Sequence, residues 1–227
     1  MSLLREIVRY SVQPFFTEHR EKFSPKFLFK LIFGTLALAY LSILFLNVIF
    51  WLFDIEIPAQ SESLQDSFSQ RNRLLYLILL GPLIEELLFR SWLGSKTGIQ
   101  IGLPLAIIAI AQIIILINWP SFSFPFAVAA CSVFTIYFMW LSKKIRPDFH
   151  VKNFKNIYWA TTIIFATAHI NKYQLEALSP FLFLLVLPQA IAGFMLGYTR
   201  MRFGLIPATI THGIYNGTIF VIIQVLG

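Results

Sequence analysis

Three clusters in this chain hold residues whose types and spacing could do chemistry, and each interrupts an apolar run. In Leu83-Ile84-Glu85-Glu86-Leu87-Leu88-Phe89-Arg90, two adjacent carboxylates and a guanidinium break a stretch that is otherwise nearly apolar from Leu74 to Leu93. His169 follows Phe165-Ala166-Thr167-Ala168 towards the end of a second run, and His212-Gly213-Ile214-Tyr215-Asn216 lies in a third. A charged side chain in lipid costs roughly 2.5 kcal/mol or more, and it is usually kept for function. On a helix Glu86 and Arg90 share a face and can pair. Glu85 then points about 100° away from Glu86, so one carboxylate is held by Arg90 and the other is left for different work.

A carboxylate in a low-dielectric pocket is a usable general base. A histidine beside it can orient a water or help to deprotonate it. A second histidine with an asparagine on another helix can donate hydrogen bonds to a developing oxyanion. Together these are the tools for water attack on an amide. The chain has no His-Glu-x-x-His, no Gly-x-Ser-x-Gly and no pair of membrane aspartates, so metallo-, serine and aspartyl protease templates fit badly. Glu85, His169 and His212 still make a His₂Glu set that could take zinc, and spacing leaves that reading open. Each polar group also has a structural reading: a single membrane histidine can join two helices, and a Glu–Arg pair can be glue. At ~1.5 Å per residue, His212 lies roughly 15 Å from the edge at Arg202, Glu85 roughly 16 Å from that at Leu74, and His169 roughly 21 Å from that at Lys155. Three helices carrying costly groups at compatible depth are most simply explained by one shared site.

The elements that must position these groups are membrane helices. The 227 residues are 57% hydrophobic with a mean hydropathy of +0.73 and only 13% charged, against about a quarter charged in soluble domains. At about 20 residues per span, about seven segments qualify: about 30–53, 73–93, 99–118, 122–142, 156–171, 179–199 and 203–226. Between the first two runs a polar loop from Asp54 to Arg73. Residues 3–16 place Leu3, Leu4, Ile7, Val8, Val12, Phe15 and Phe16 at helical spacing around Arg5, Glu6 and Arg9. That pattern fits an amphipathic helix on the membrane surface, or equally a short helix packed on the protein. The expected fold is therefore all-α, a polytopic membrane bundle with an N-terminal amphipathic helix. Residues 1–29 form a cytoplasmic segment without the uninterrupted apolar core of a cleavable signal, and residues 30–227 form the membrane domain. His19 and His150 fall in predicted cytoplasmic loops and read as solvated. The single cysteine, Cys131, excludes an intramolecular disulfide and a Cys-based zinc site.

Charge sets the orientation. With the N-terminus inside, 15 of the 18 Lys and Arg residues lie in inside loops or at their edges, Arg90, Lys96, Arg200 and Arg202 among them; Arg71, Arg73 and Lys172 lie outside. This asymmetry places the N-terminus in the cytoplasm and the C-terminus outside. It accounts for the net charge of +7 through contact with an anionic cytoplasmic leaflet, and nucleic-acid binding has no place in it.

The motifs resemble those of a known family. Glu85-Glu86-Leu87-Leu88-Phe89-Arg90 matches Glu-Glu-x-x-x-Arg, Phe165 to His169 matches Phe-x-x-x-His, and His212 to Asn216 matches His-x-x-x-Asn. In this order, within apolar segments, they resemble the CPBP (Abi) group, which includes the type II CAAX prenyl proteases and bacteriocin-processing or immunity proteins. The resemblance implies an all-helical intramembrane endopeptidase; the family is described both as metal-dependent and as glutamate-type, and the glutamate reading, with no resident cofactor, is preferred here while zinc stays open. Glu85 and His169 would activate water, His212 and Asn216 would form the oxyanion hole, and Glu86 and Arg90 would support them. It implies a peptide or lipidated-protein substrate, CAAX-like or a leader peptide. The compact size and sparse loops point to a bacterial cell membrane. Three other readings stand beside this one: a non-catalytic immunity or scaffold protein, a zinc protease using the same residues, and a proton-coupled transporter with Glu85 and His169 as relay.

Overall fold

The computed structural model describes residues 3–17, 20–22, 24–56, 70–94, 150–170, 173 and 182–226. The expected spans at 99–118 and 122–142, His19, Cys131 and most of the loop after Asp54 lie outside the described residues. Every regular element among the described residues is a helix. Two of them, α2 and α8 below, are long and apolar enough to cross a membrane.

Helix α1 (Leu3–Val12) is shorter than the 3–16 expected, and Pro14 follows it, where a continuing helix would lose a hydrogen bond. It combines the two readings left open by its sequence. Glu6, Ile7 and Tyr10 turn towards the protein, with Tyr10 buried against Tyr158 and Tyr198, while Val8 and Val12 stay exposed. Burial pushes the Glu6 carboxyl up, but hydrogen bonds from Arg202 and Tyr198 and the Arg202 charge outweigh it and hold Glu6 below the usual carboxylate range.

Helix α2 (Pro25–Leu52) begins five residues earlier than its predicted span, with Pro25 in the first turn, where a missing N–H costs nothing. Its 28 residues make a rod of ~42 Å. Leu31, Thr35, Ala39, Ser42, Leu46 and Phe50 form one buried stripe at three- and four-residue spacing, while Phe33, Tyr40, Phe45 and Trp51 face outwards. Thr35 and Ser42 bond the carbonyls of Leu31 and Ala39, so neither hydroxyl is left unsatisfied in the apolar stripe.

The first motif lies in a composite helix: α3 (Gln70–Leu75), a π-helical segment (Tyr76–Leu80), α4 (Gly81–Arg90) and a 3-10 turn (Ser91–Gly94). The π segment has a local cause. The Gly81 amide donates to Tyr76 O, five residues back. Pro82 has no N–H to continue either ladder, which leaves carbonyls near Leu77 and Ile78 needing other donors.

After the second motif's helix, α5 (Phe154–Thr167), the expected sixth span divides at Val186 into α6 (Leu182–Leu185) and α7 (Leu187–Phe203). Helix α7 is the centre of the described structure, packed on α2, α5 and α8 (Leu205–Leu226) and buried almost throughout from Ala192 to Met201. Gly193 and Gly197 let α5 close onto it. A Cβ on Gly193 would lie 2.9 Å from the Phe165 ring, and one on Gly197 would lie 2.9 Å from the Tyr158 hydroxyl. That hydroxyl donates to Phe194 O at 2.5 Å. Small residues four apart are a common route to close helix packing in membranes. Helix α7 stops at Gly204, whose φ of +100° suits glycine.

Two residues differ from their sequence reading. His150 is buried at 2% exposure, with ring centroids 5.2 Å from Phe16 and 5.7 Å from Phe154; it is a packed aromatic rather than a solvated loop residue. Arg200, read as a loop charge, lies inside α7 at 4% exposure. Residues two apart on a helix point about 200° apart, so Arg200 turns inward while Arg202 reaches Glu6 and Glu21.

Candidate active site

Glu86 and Arg90 form the buried anchor of the site. Glu86 is fully buried and Arg90 is 2% exposed, and Arg90 Nη1 donates to Glu86 Oε1. The pairing expected from their four-residue spacing is thus present. The guanidinium carbon also stands 4.1 Å over the Phe165 ring, a cation–π contact that strengthens on desolvation.

His212, carried by α8, stands between the two glutamates. Its Nδ1 lies 3.0 Å from Glu86 Oε1, and its Nε2 lies 3.5 Å from Glu85 Oε2. Glu85 is the accessible carboxylate, 29% exposed. Its Oε2 is itself buried and accepts no hydrogen bond among the described residues.

The second histidine approaches the same oxygen. His169 sits just beyond the end of α5, in the turn after Ala168, rather than within the helix. Its Nδ1 lies 2.8 Å from Phe165 O and its Nε2 lies 4.0 Å from Glu85 Oε2. A carbonyl only accepts, so Nδ1 carries the proton and Nε2 is the basic nitrogen of the neutral ring. Both imidazoles therefore turn Nε2 towards one carboxylate oxygen, and a 4.0 Å gap is longer than a direct hydrogen bond and suited to a bridging water.

Asn216 lies one turn beyond His212. Its Nδ2 donates to Leu77 O at 3.2 Å, one of the carbonyls that Pro82 leaves without a backbone donor. Asn216 thus ties α8 to the π segment, and its second amide hydrogen is not used in that bond. Gly213 makes the approach feasible, because a Cβ there would sit 2.1 Å from Ile78 O. Thr209, near the same face, bonds Leu205 O and takes no part in the cluster.

The structure therefore brings Glu85, Glu86, Arg90, His169 and His212 together, with Asn216 one turn further along α8 and bonded to the π segment. Sequence reasoning missed Phe165 as the aromatic floor, with its centroid 4.7 Å from His169 and 6.0 Å from His212, and it missed Arg200, whose Nε donates to Arg90 O at 3.3 Å. The Gly-x-x-x-Gly at Gly193 and Gly197 was the available signal for α7's central place. Among the described residues, Glu85, His169 and His212 included, no group of three or more His, Cys, Asp or Glu is arranged to hold a metal ion.

A helical structure with two apolar membrane-length helices is compatible with a membrane protein. Residues 143–218 match the family model described as Rce1-like, type II CAAX prenyl endopeptidase Rce1-like. The match covers the second and third motifs, leaves the Glu85-Glu86 motif outside it, and supports the CAAX protease family that the three motifs resemble. No curated protein and no solved structure matches the chain.

Proposed function

We propose that this chain is an intramembrane endopeptidase of the glutamate type, acting on a peptide bond of a membrane-associated or lipidated protein, CAAX-like or a leader peptide. The observation that carries this reading is the division of labour between adjacent carboxylates. Glu86 is committed to Arg90 and His212, while Glu85 is partly exposed and faces the Nε2 atoms of both histidines.

In this mechanism a water between Glu85 and His169 loses a proton to Glu85 as its oxygen attacks the scissile carbonyl carbon. His212, which stands between the two glutamates, and the second amide hydrogen of Asn216 serve as the hydrogen-bond donors to the oxyanion. The C–N bond then breaks. The proton held by Glu85 passes to the leaving amine, giving a carboxylic acid and an amine. Resident zinc has no role in this scheme. The protein sits in a bacterial cell membrane, N-terminus in the cytoplasm and basic loops on an anionic leaflet.

The test is cleavage of a quenched peptide panel by the purified chain in detergent, wild type beside Glu85→Gln, with and without chelator. A general base is worth roughly 10²–10⁴-fold, so Glu85→Gln is expected to lose at least about 100-fold while chelator has no effect. Loss with chelator and recovery with zinc would transfer the chemistry to a metal. Cleavage by Glu85→Gln at the wild-type rate would overturn the assignment, and a wild type that cleaves nothing would favour an immunity or scaffold role.

A further inference from the structure

Glu86, His212, Phe165 and His169 all depend on where one residue, Arg90, is held. Its Nη1 pairs with Glu86, which bonds His212, and its guanidinium covers Phe165, whose carbonyl orients His169. Arg90 is also the last residue of α4. The 3-10 turn Ser91–Gly94 follows it directly, and the two lone pairs of a carbonyl at such a junction leave room for a further donor.

Arg200 supplies that donor from α7, its Nε lying 3.3 Å from Arg90 O across 110 residues of chain. Its guanidinium fits against Gly94, where a Cβ would lie 2.9 Å from Nη2 and 3.1 Å from Cζ. Only glycine leaves it this room. The cation also sits at the C-terminal end of α4, where a helix favours positive charge.

We infer that Arg200 is a positioning residue for the candidate active site: by capping α4 at Arg90 O it fixes the hub from which Glu86–His212 and Phe165–His169 are both set. The inference rests on the peptidase reading for its consequence in catalysis and on geometry alone for its effect on the histidines. It makes Arg200 part of the site's framework although it touches none of the reacting groups.

Two substitutions test the contact independently. Arg200→Gln removes the guanidinium. Gly94→Ala keeps Arg200 but places a methyl against the mobile end of its side chain, which can shift without unfolding the protein. Both are prepared as the full chain in detergent, with size-exclusion profile and unfolding midpoint as checks of folding. With a peptide the wild type cleaves, kcat is expected to fall about tenfold or more in both while KM stays within about twofold, since small misplacements of reacting groups are expensive. In ¹⁵N-histidine-labelled protein the His212 ring signals, assigned by their loss in His212→Gln, are expected to shift in both variants. A residue that only supported the fold would lower the unfolding midpoint without changing kcat per folded molecule or the ring signals. A folded Gly94→Ala with wild-type kcat and unshifted His212 signals overturns the inference. If the wild type cleaves no peptide, the peptidase reading fails separately, and the ring signals alone decide the role of Arg200.

Discussion

Two adjacent glutamates have different surroundings, and the proposed function gives one of them to structure and the other to chemistry. Glu86 is fully buried and stands against Arg90 and His212. Removing one partner of a buried charged set costs about 3–5 kcal/mol, because the others are left uncompensated. Glu86→Ala is therefore expected to lower unfolding stability in detergent by that order. Glu85→Gln, at a 29% exposed side chain whose Oε2 accepts no hydrogen bond among the described residues, should cost less, on the order of 1 kcal/mol. Parallel unfolding curves check the contrast. Equal destabilisation would mean that both carboxylates are structural.

At the scale of elements, two contacts decide how the site is assembled. Helix α8 meets the π segment through Gly213, where a methyl would come within 2.1 Å of Ile78 O, and a backbone oxygen cannot swing aside as a side chain end can. Gly213→Ala is expected to cost about 3 kcal/mol or more, at the upper end of overpacking effects. It should also break the Asn216–Leu77 bond, seen as faster amide exchange across residues 76–82. Helix α1 is held through Glu6, which faces Arg202 and Tyr198, with Glu21 on the other side of Arg202. Because the docked Glu6 carboxyl is held below its usual value by those partners, its contribution is fully present above about pH 4.5, the ordinary range of a glutamate. It is lost as pH falls through the lowered value. Protection of α1 from amide exchange should thus drop in mild acid and become pH-independent in Glu6→Gln. Protection that falls equally in both would assign the acid sensitivity to another group.

For the whole molecule, the distribution of basic residues makes a prediction about orientation. With Arg90 and Arg200 set aside as buried helix residues, 13 of the other 16 Lys and Arg lie on one side of the expected spans, and the N-terminal segment should face the cytoplasm. A cysteine replacing Lys22 in a Cys131→Ser background is expected to react with an impermeant maleimide only after the membrane is permeabilised. Labelling of intact cells would reverse the topology.

What the sequence determined by itself follows from local geometry and composition. Apolar runs of about 20 residues fit helices where they meet lipid, because every backbone polar group has to be satisfied internally. The 3.6-residue period separated Glu85 from Glu86 and joined Glu86 to Arg90. What only the tertiary structure decided is non-local. The His212–Glu86 contact closes 126 residues of chain, and no spacing rule says which ring nitrogen faces which carboxylate. Asn216 turns to Leu77 because Pro82 removes a backbone donor from another helix. Arg200 is buried where its neighbour Arg202 is not, since α7 packs on one side against the end of α4. His150 is covered because Phe16 and Phe154 close around it. Burial, partners and the direction of a side chain belong to the packed chain, where distant segments supply the missing donor or the missing wall.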